Sequence, residues 1–242
     1  PAPVIAPATP GDCFFVTYEA CRIALKYMTP VFILSDAFLA NGSEPWMIPS
    51  LGDLPSIQIK HAEARDGQYM PYERDEKTLA RHWAIPGMAG FERRIGGLER
   101  EHITGNVSYD PDNHDLMIKL RAEKVAGIKS EIPPTEVYGE TTGDLLVLGW
   151  GSTFGAIRTS VEALRAEGDS VAHAHLRWLN PLPADLGEIL LKFQKVLIPE
   201  VNSGQLIKLI RSEFLIDAEG SNLVRGKPFR KSQIINKIKE IL

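Results

Sequence analysis

Residues 144–155, DLLVLGWGSTFG, hold the clearest secondary-structure signal in the chain. The four apolar residues Leu145–Leu148 predict a buried strand, and Ser152 is the predicted N-cap of the helix that follows. That helix carries apolar residues at helical spacing and ends at Gly168; they are Ile157, Val161 and Leu164. A buried strand that leads directly into an amphipathic helix predicts a parallel α/β sheet.

The same alternation continues to the end of the chain. Further strands are predicted at Val171–Leu176 and Val196–Pro199. Helices are predicted at Pro183–Phe193, Gly204–Phe214 and Ser232–Leu242. Strands that alternate with helices predict a doubly wound parallel domain over residues 143–242.

A second strand–helix–strand pattern begins the chain. Residues 4–8 and Val31–Leu34 predict strands, the second of them covered on both faces. The helix predicted at residues 11–28 has one apolar face, formed by Phe14, Tyr18, Cys21, Leu25 and Met28. Two strands are too few for a sheet. We therefore expect residues 1–45 to be the end of a truncated domain that begins upstream.

The segment 46–142 has little periodicity and is rich in proline, glycine and charge. Only residues 112–130 predict a helix within it. So long an irregular stretch is usually either disordered or packed against other parts of the protein. Its aromatic residues favour packing, because disordered chains are poor in aromatics.

Composition excludes several classes of partner. The hydrophobic fraction of 44% is that of a globular protein, and a net charge of −4 argues against nucleic acid and against an anionic membrane. No apolar run approaches the roughly 20 residues of a membrane span. Cys13 and Cys21 fall in one predicted helix, about 12 Å apart, so no disulfide can join them. We expect a reducing, cytoplasmic location, and no ligand set for structural zinc or an iron–sulfur cluster is present.

Two motifs allow a functional interpretation beside a structural one. The glycines of residues 149–155 could belong to a dinucleotide-binding turn, but Trp150 occupies the turn that a pyrophosphate would approach. A tight strand–helix turn is therefore the favoured interpretation. His173 and His175 alternate on one strand face, as in some metal sites. Because no third ligand is evident, a packed face is favoured here too, and no Ser-His-Asp arrangement is supported.

The segment EVNSGQ, residues 200–205, follows a strand and leads into a helix. Open α/β sheets bind ligands at this edge. Polar residues there could bind a ligand or a subunit, or could simply cap the helix through Asn202 or Ser203, and both interpretations stay open. The candidate interface or ligand-edge residues are Glu200, Asn202, Gly204, Gln205, Trp150 and Ser152. No residue of the chain is predicted to be catalytic, to bind a cofactor or to ligate a metal.

Several stretches resemble the alpha subunit of 2-oxoacid:ferredoxin oxidoreductases almost from end to end. They are Tyr18–Asp36, Leu39–Trp46 (LANGSEPW), Arg81–Gly87 (RHWAIPG), Arg94–Leu98 (RIGGL), Thr104–Tyr109 (TGNVSY), Leu146–Thr153, Ala172–Pro183 and Pro199–Leu206 (PEVNSGQL). The variants ANGSEPW, WAIPG and RIGGL look like the 2-oxoglutarate branch of the family.

The resemblance implies CoA-dependent oxidative decarboxylation of a 2-oxoacid, in the first place 2-oxoglutarate to succinyl-CoA, with electron transfer to ferredoxin. It implies that thiamine diphosphate with Mg and a [4Fe–4S] cluster are held mainly by a beta subunit, and that the subunits associate further. Residues 1–45 would be the end of a pyrimidine-binding domain and residues 143–242 a transketolase-C-terminal-like domain. The cofactor-activating Glu of the family would lie upstream, so we expect this chain alone to be inactive and to hold no cofactor.

Two alternatives to this function stay open. The chain could belong to another thiamine-dependent 2-oxoacid enzyme, acting on pyruvate or a branched-chain 2-oxoacid or using lipoamide instead of ferredoxin. Residues 143–242 could instead form an independent module that binds a nucleotide or CoA.

Overall fold

A computed structural model describes residues 1–64, 68–94 and 96–242. Its strands are β1 (Val4–Ile5), β2 (Phe32–Ile33), β3 (Val137–Tyr138), β4 (Gly143–Trp150), β5 (Val171–Leu176), β6 (Trp178–Asn180), β7 (Phe193–Glu200) and β8 (Glu219–Asn222). Its helices are α1 (Asp12–Tyr27), α2 (Ala37–Asn41), α3 (Pro111–Gly127), α4 (Phe154–Glu167), α5 (Leu186–Leu190), α6 (Gln205–Phe214) and α7 (Lys231–Ile241).

The chain divides into two compact units. The first comprises Pro1–Pro3, Tyr18–Phe32 and Ile48–Glu131. The second comprises Val4–Thr17, Ile33–Met47 and Ile132–Leu242.

The second unit is built on a five-stranded sheet in the order β3-β5-β4-β7-β8. β4 pairs in parallel with β5 and β7, and β8 extends the sheet in parallel beyond β7. Only β3 is antiparallel, and it lies at an edge. The α/β class predicted from the sequence is therefore confirmed.

Helices cover both faces of this sheet. Leu145 and Val147 pack into one buried cluster with residues of α4 and α7. Leu146 and Leu148 pack into another cluster with residues of α5 and α6. Successive side chains of a strand point to opposite faces, so a strand covered on both faces must be apolar at every position. This explains the unbroken apolar run in β4 and confirms the doubly wound arrangement.

Several element boundaries differ from the predictions. The helix predicted at 183–193 is the five-residue α5, because Phe193 already begins β7. The strand predicted at 196–199 is correspondingly longer. The short elements β3, β6, β8 and α2 were not predicted. β8, with the sequence EGSN, has no apolar residue that could indicate a strand.

Helix α1 is confirmed, but its predicted buried face is wrong. Phe14 and Cys21 are exposed, and the buried residues are Val16, Ala20, Ile23 and Tyr27. The two sets have nearly the same spacing, but they are offset by two residues, or about 200° around the helix, and lie on nearly opposite faces. Periodicity alone therefore could not choose between them.

Strand β2 also differs from the prediction. Its residues are exposed, although the apolar run Val31–Leu34 predicted a strand covered on both faces. β2 is an edge strand of a short sheet with the order β2-β1-β6, in which β1 and β6 are antiparallel. Leu34, which follows the strand, is exposed as well.

The first unit is mostly irregular; besides the second half of α1 it contains α3, the one helix predicted for the segment 46–142. Asp110 caps this helix by accepting a hydrogen bond from the amide of Asp112. Isolated bridges, such as the antiparallel pair Arg74 and Arg81, replace longer strands. The proposed boundaries at residues 45 and 142 stay a prediction. No helix in the described ranges is both long and apolar enough to cross a membrane.

Candidate functional site

Five of the six predicted site residues meet at one edge of the second unit's sheet. β4 and β7 end there at Trp150 and Glu200. Asn202, Gly204 and Gln205 follow in the connection to α6 and at its first turn. In open parallel sheets this carboxyl edge is where ligands bind.

Glu200 is completely buried at this edge. Its Oε1 accepts hydrogen bonds from the amide of Leu206 at 2.9 Å and its Oε2 from the amide of Ile207 at 3.1 Å. Oε1 also accepts from Nε1 of Trp150 at 3.2 Å and Nδ2 of Asn202 at 3.1 Å. The carboxylate thus occupies the N-terminus of α6, where a negative charge is favourable.

Asn202 completes the cap. Its Oδ1 accepts hydrogen bonds from the amides of Gly204 at 2.7 Å and Gln205 at 3.2 Å. Gly204 has a φ of 85°, and a Cβ added there would lie 2.9 Å from Nδ2 of Asn222, so the position requires glycine. Asn202 therefore caps the helix, as one of the two sequence interpretations predicts, and Glu200 contributes to the cap although the sequence did not predict it.

A cavity of about 460 Å³ lies next to this cap. Its walls are mainly apolar and its polar residues are amides and one indole; the lining residues are Val4, Leu34, Trp150, Leu179, Asn180, Asn202, Gln205, Leu206 and Leu209. Gln205 is exposed on α6, whereas the Asn202 side chain is committed to the cap. The cavity suits an apolar, uncharged group, and a ligand-edge role for Trp150 and Gln205 stays a prediction.

Ser152 lies apart from this group and lines a different cavity, of about 300 Å³. It is buried within a single 3₁₀ turn, Gly151–Thr153, and its predicted capping role is wrong. Within this turn the hydroxyl of Thr153, and not that of Ser152, forms a hydrogen bond to the backbone: it donates to the carbonyl of Trp150 at 2.8 Å. The amide of Ser152 donates to Oδ2 of Asp36 at 3.3 Å.

The sequence did not predict that Asp36 caps a helix. Its Oδ1 accepts from the amides of Phe38 at 3.0 Å and Leu39 at 3.1 Å, so it caps α2 while its other oxygen faces the turn before α4. An Asp directly before a helix start was the available signal. A carboxylate at this turn repels phosphate, and a Cβ on Gly149 would lie 2.5 Å from Cδ1 of Ile157. Both facts favour the tight-turn interpretation over dinucleotide binding.

His173 and His175 form a packed pair. Nε2 of His173 lies 3.4 Å from Nδ1 of His175, whose Nε2 lies 3.1 Å from the carbonyl oxygen of Gly151. Both rings also contact Phe154. Burial, and then the charge of Arg158, lower the pKa of His173 to about 3, so this side chain is neutral at physiological pH.

The residues present do not fit the metal groups of the resembled family. A cluster held by thiolates needs four cysteines. The chain has two, and both are free. Among the described residues, no group of three or more His, Cys, Asp or Glu side chains could hold a metal ion.

Comparison with known proteins gives consistent matches. The family described as "Pyruvate flavodoxin/ferredoxin oxidoreductase, thiamine diP-bdg" matches residues 1–110. The 2-oxoglutarate oxidoreductase subunit KorA of Mycobacterium tuberculosis is 49% identical over 237 residues, which are 97% of this chain and 36% of that protein. Subunit alpha of 2-oxoacid:ferredoxin oxidoreductase 1 of Aeropyrum pernix is 30% identical over 84% of this chain and 32% of its own length.

A solved structure matches nearly the whole fold. It is the 2-oxoglutarate:ferredoxin oxidoreductase from Magnetococcus marinus with 2-oxoglutarate, coenzyme A and succinyl-CoA bound, which superposes with a TM-score of 0.89 and 32% identity. The match covers 99% of this chain and 42% of that one. The chain thus spans about a third of the length of the two curated relatives named above. Of the matched stretch Arg94–Leu98, Ile95 lies outside the described residues.

Proposed function

We propose, on the premise that this chain belongs to the alpha subunits of the 2-oxoacid:ferredoxin oxidoreductases, that its parent protein oxidatively decarboxylates 2-oxoglutarate. This family depends on thiamine diphosphate. The products are succinyl-CoA and CO₂, and the two electrons released pass to ferredoxin. The observation that supports this most is the match along 99% of the chain to a structure described with 2-oxoglutarate and coenzyme A bound.

The role of this chain in that reaction is structural support. The polar groups at the sheet edge of the second unit form hydrogen bonds within the chain. Glu200 and Asn202 accept from amides at the start of α6, and Asp36 accepts from an amide of the turn before α4. Thiamine diphosphate with its Mg ion and a [4Fe–4S] cluster are held mainly by a beta subunit in this proposal. Trp150 and Gln205 line the apolar cavity where a ligand or a neighbouring subunit docks.

The proposal also covers how the subunits assemble and where the enzyme works. The parent subunit assembles with its beta subunit, associates further with copies of itself, and works in the cytoplasm, where thiols such as Cys13 and Cys21 stay reduced. Residues 143–242 correspond to the transketolase-C-terminal-like domain, and residues 1–45 to part of the pyrimidine-binding domain.

The test is an activity assay on the complete subunit co-expressed with its beta partner. We expect CoA-dependent reduction of ferredoxin that is faster with 2-oxoglutarate than with pyruvate or a branched-chain 2-oxoacid. Omission of CoA should abolish steady-state turnover. Faster turnover on pyruvate contradicts the substrate assignment, and ferredoxin reduction that proceeds equally without CoA contradicts the reaction.

A further inference from the structure

Four positively charged side chains lie together in the first unit. Arg74 and Arg81 face each other in an isolated antiparallel bridge. Arg121 and Lys124 are three residues apart on α3, on the same side as the buried Met117. Like charges placed directly across a bridge repel each other. The arrangement therefore costs free energy unless something negative compensates it.

Two of the four cations are held by neutral groups. Nη1 of Arg74 donates to the carbonyl of Leu79 at 2.9 Å, while its buried Nε has no partner among the described residues. Lys124 is 9% exposed, and its Nζ donates to the carbonyl of Met28 at 3.1 Å. Burial, and then the charges of Arg74, Arg81 and Arg121, lower the pKa of Lys124 to about 8.

Two carboxylates of the first unit, Asp75 and Glu99, are engaged by other groups. Asp75 accepts from Nζ of Lys60 at 2.8 Å and from the amide of Thr78 at 2.9 Å. Glu99 lies 2.7 Å from Nδ1 of His114 and 3.4 Å from Nη1 of Arg121. Within the described ranges, then, Arg121 shares one carboxylate, and the other three cations form no ion pair.

Arg81 is oriented by an aromatic ring. Its guanidinium lies 4.4 Å from the centre of the Tyr72 ring. A stacked guanidinium is fixed in its plane and keeps its N–H groups at the edge free for an oxyanion. The described residues offer these N–H groups no hydrogen-bond acceptor, and the side chain is only half-buried.

We propose that Arg74, Arg81, Arg121 and Lys124 form an oxyanion site that takes a phosphate group of a small molecule. A phosphate monoester carries close to two negative charges, so it balances this surplus better than a single carboxylate does. Arginine binds phosphate through paired N–H groups, and Lys124 adds positive potential from the interior. The phosphate is either free or part of a larger cofactor such as CoA.

The test is calorimetric titration of the complete subunit in its assembled enzyme with pyrophosphate. Arg81→Gln and Arg121→Gln are compared with Lys119→Gln, an exposed cation on α3 that pairs with Asp115. We expect each arginine variant to raise the Kd by about tenfold or more, and the lysine control to change it little. Phosphate sites elsewhere in the enzyme bind equally in all these proteins, so the difference reports on this cluster.

Further titrations with inorganic phosphate and with CoA identify the source of the phosphate. Tighter, arginine-dependent binding of CoA assigns the site to the cofactor, and equal dependence for inorganic phosphate assigns it to the free ion. Identical Kd values for the arginine variants and the control overturn the proposal. So does arginine-dependent binding of 2-oxoglutarate with no effect on phosphate. Binding is measured without turnover, so the result does not depend on the proposed reaction.

Discussion

Replacing Glu200 by Gln tests whether the carboxylate at the sheet edge has a structural role. Oε1 accepts three hydrogen bonds, and a glutamine oxygen can keep them. The second oxygen, which lies 3.1 Å from the amide nitrogen of Ile207, becomes an NH₂ group. Two donors then face each other at the start of α6, in a position with no access to water.

The expected cost follows from these contacts. A hydrogen bond to a charged acceptor contributes about 1.5–3 kcal/mol. A charge at a helix N-terminus contributes about 0.3–1 kcal/mol, and more when it is buried. We therefore expect Glu200→Gln to lower the free energy of unfolding by about 2–4 kcal/mol.

Urea titration followed by far-UV circular dichroism measures this loss. The matched control is Glu188→Gln, an exposed glutamate on α5, which should change the free energy of unfolding by less than about 0.5 kcal/mol. If Glu200→Gln is as stable as the control, the cap does not hold α6, and the alternative that Glu200 serves a ligand gains support.

Two further predictions concern the same unit. The pKa of His173 is about 3 in the folded protein against an ordinary 6.5, so between these values the unfolded chain binds more protons and stability falls as the pH is lowered. His173→Phe should reduce this slope of unfolding free energy between pH 6 and pH 4 by up to about 1.4 kcal/mol per pH unit, as measured by urea titration at each pH; an unchanged slope would contradict the prediction. Gly204→Ala should cost about 1–3 kcal/mol, because it forces a side chain into a left-handed conformation against Asn222. Gly155→Ala, in open space on α4, should be neutral or stabilising; equal melting temperatures for the two alanine variants would contradict the strain argument.

The central strands could be predicted from sequence because burial on both faces leaves an unbroken apolar run. β4 shows this in Leu145–Leu148, and β7 in Val196–Pro199. The polar edge strand β8 could not be found in this way, since only its backbone joins the sheet through pairing with β7. The start of β7 was missed because Phe193 also continues the apolar spacing of α5.

The site was predictable in its location but not in its contacts. The rule that ligands and helix starts meet at the carboxyl edge of a parallel sheet predicted that Glu200 and Asn202 lie at this edge, while their role as interface or ligand-edge residues stays a prediction. Their partners are set by the fold: Trp150 reaches Glu200 from 50 residues away, and Asp36 reaches Ser152 from 116. The cluster around Arg74 and Lys124 is equally non-local, and no spacing in the sequence indicates it.

The distribution of charge indicates which groups of each unit are available to bind an anion. In the second unit, the chain's own carboxylates occupy two helix starts, Glu200 at α6 and Asp36 at the turn before α4. A helix N-terminus attracts phosphate only while its amides are free, and a carboxylate already in place repels a second negative group. The walls of the cavity beside Trp150 are mainly apolar, and the carboxylate of Glu200 does not line it because it accepts hydrogen bonds from the amides of α6. In the first unit, by contrast, positive charge is in excess at one place, because Arg74, Arg81 and Lys124 have no carboxylate partner within the described ranges. If a phosphate-bearing molecule binds this chain, these cations are therefore the groups that attract it, and neutral apolar groups belong in the cavity of the second unit.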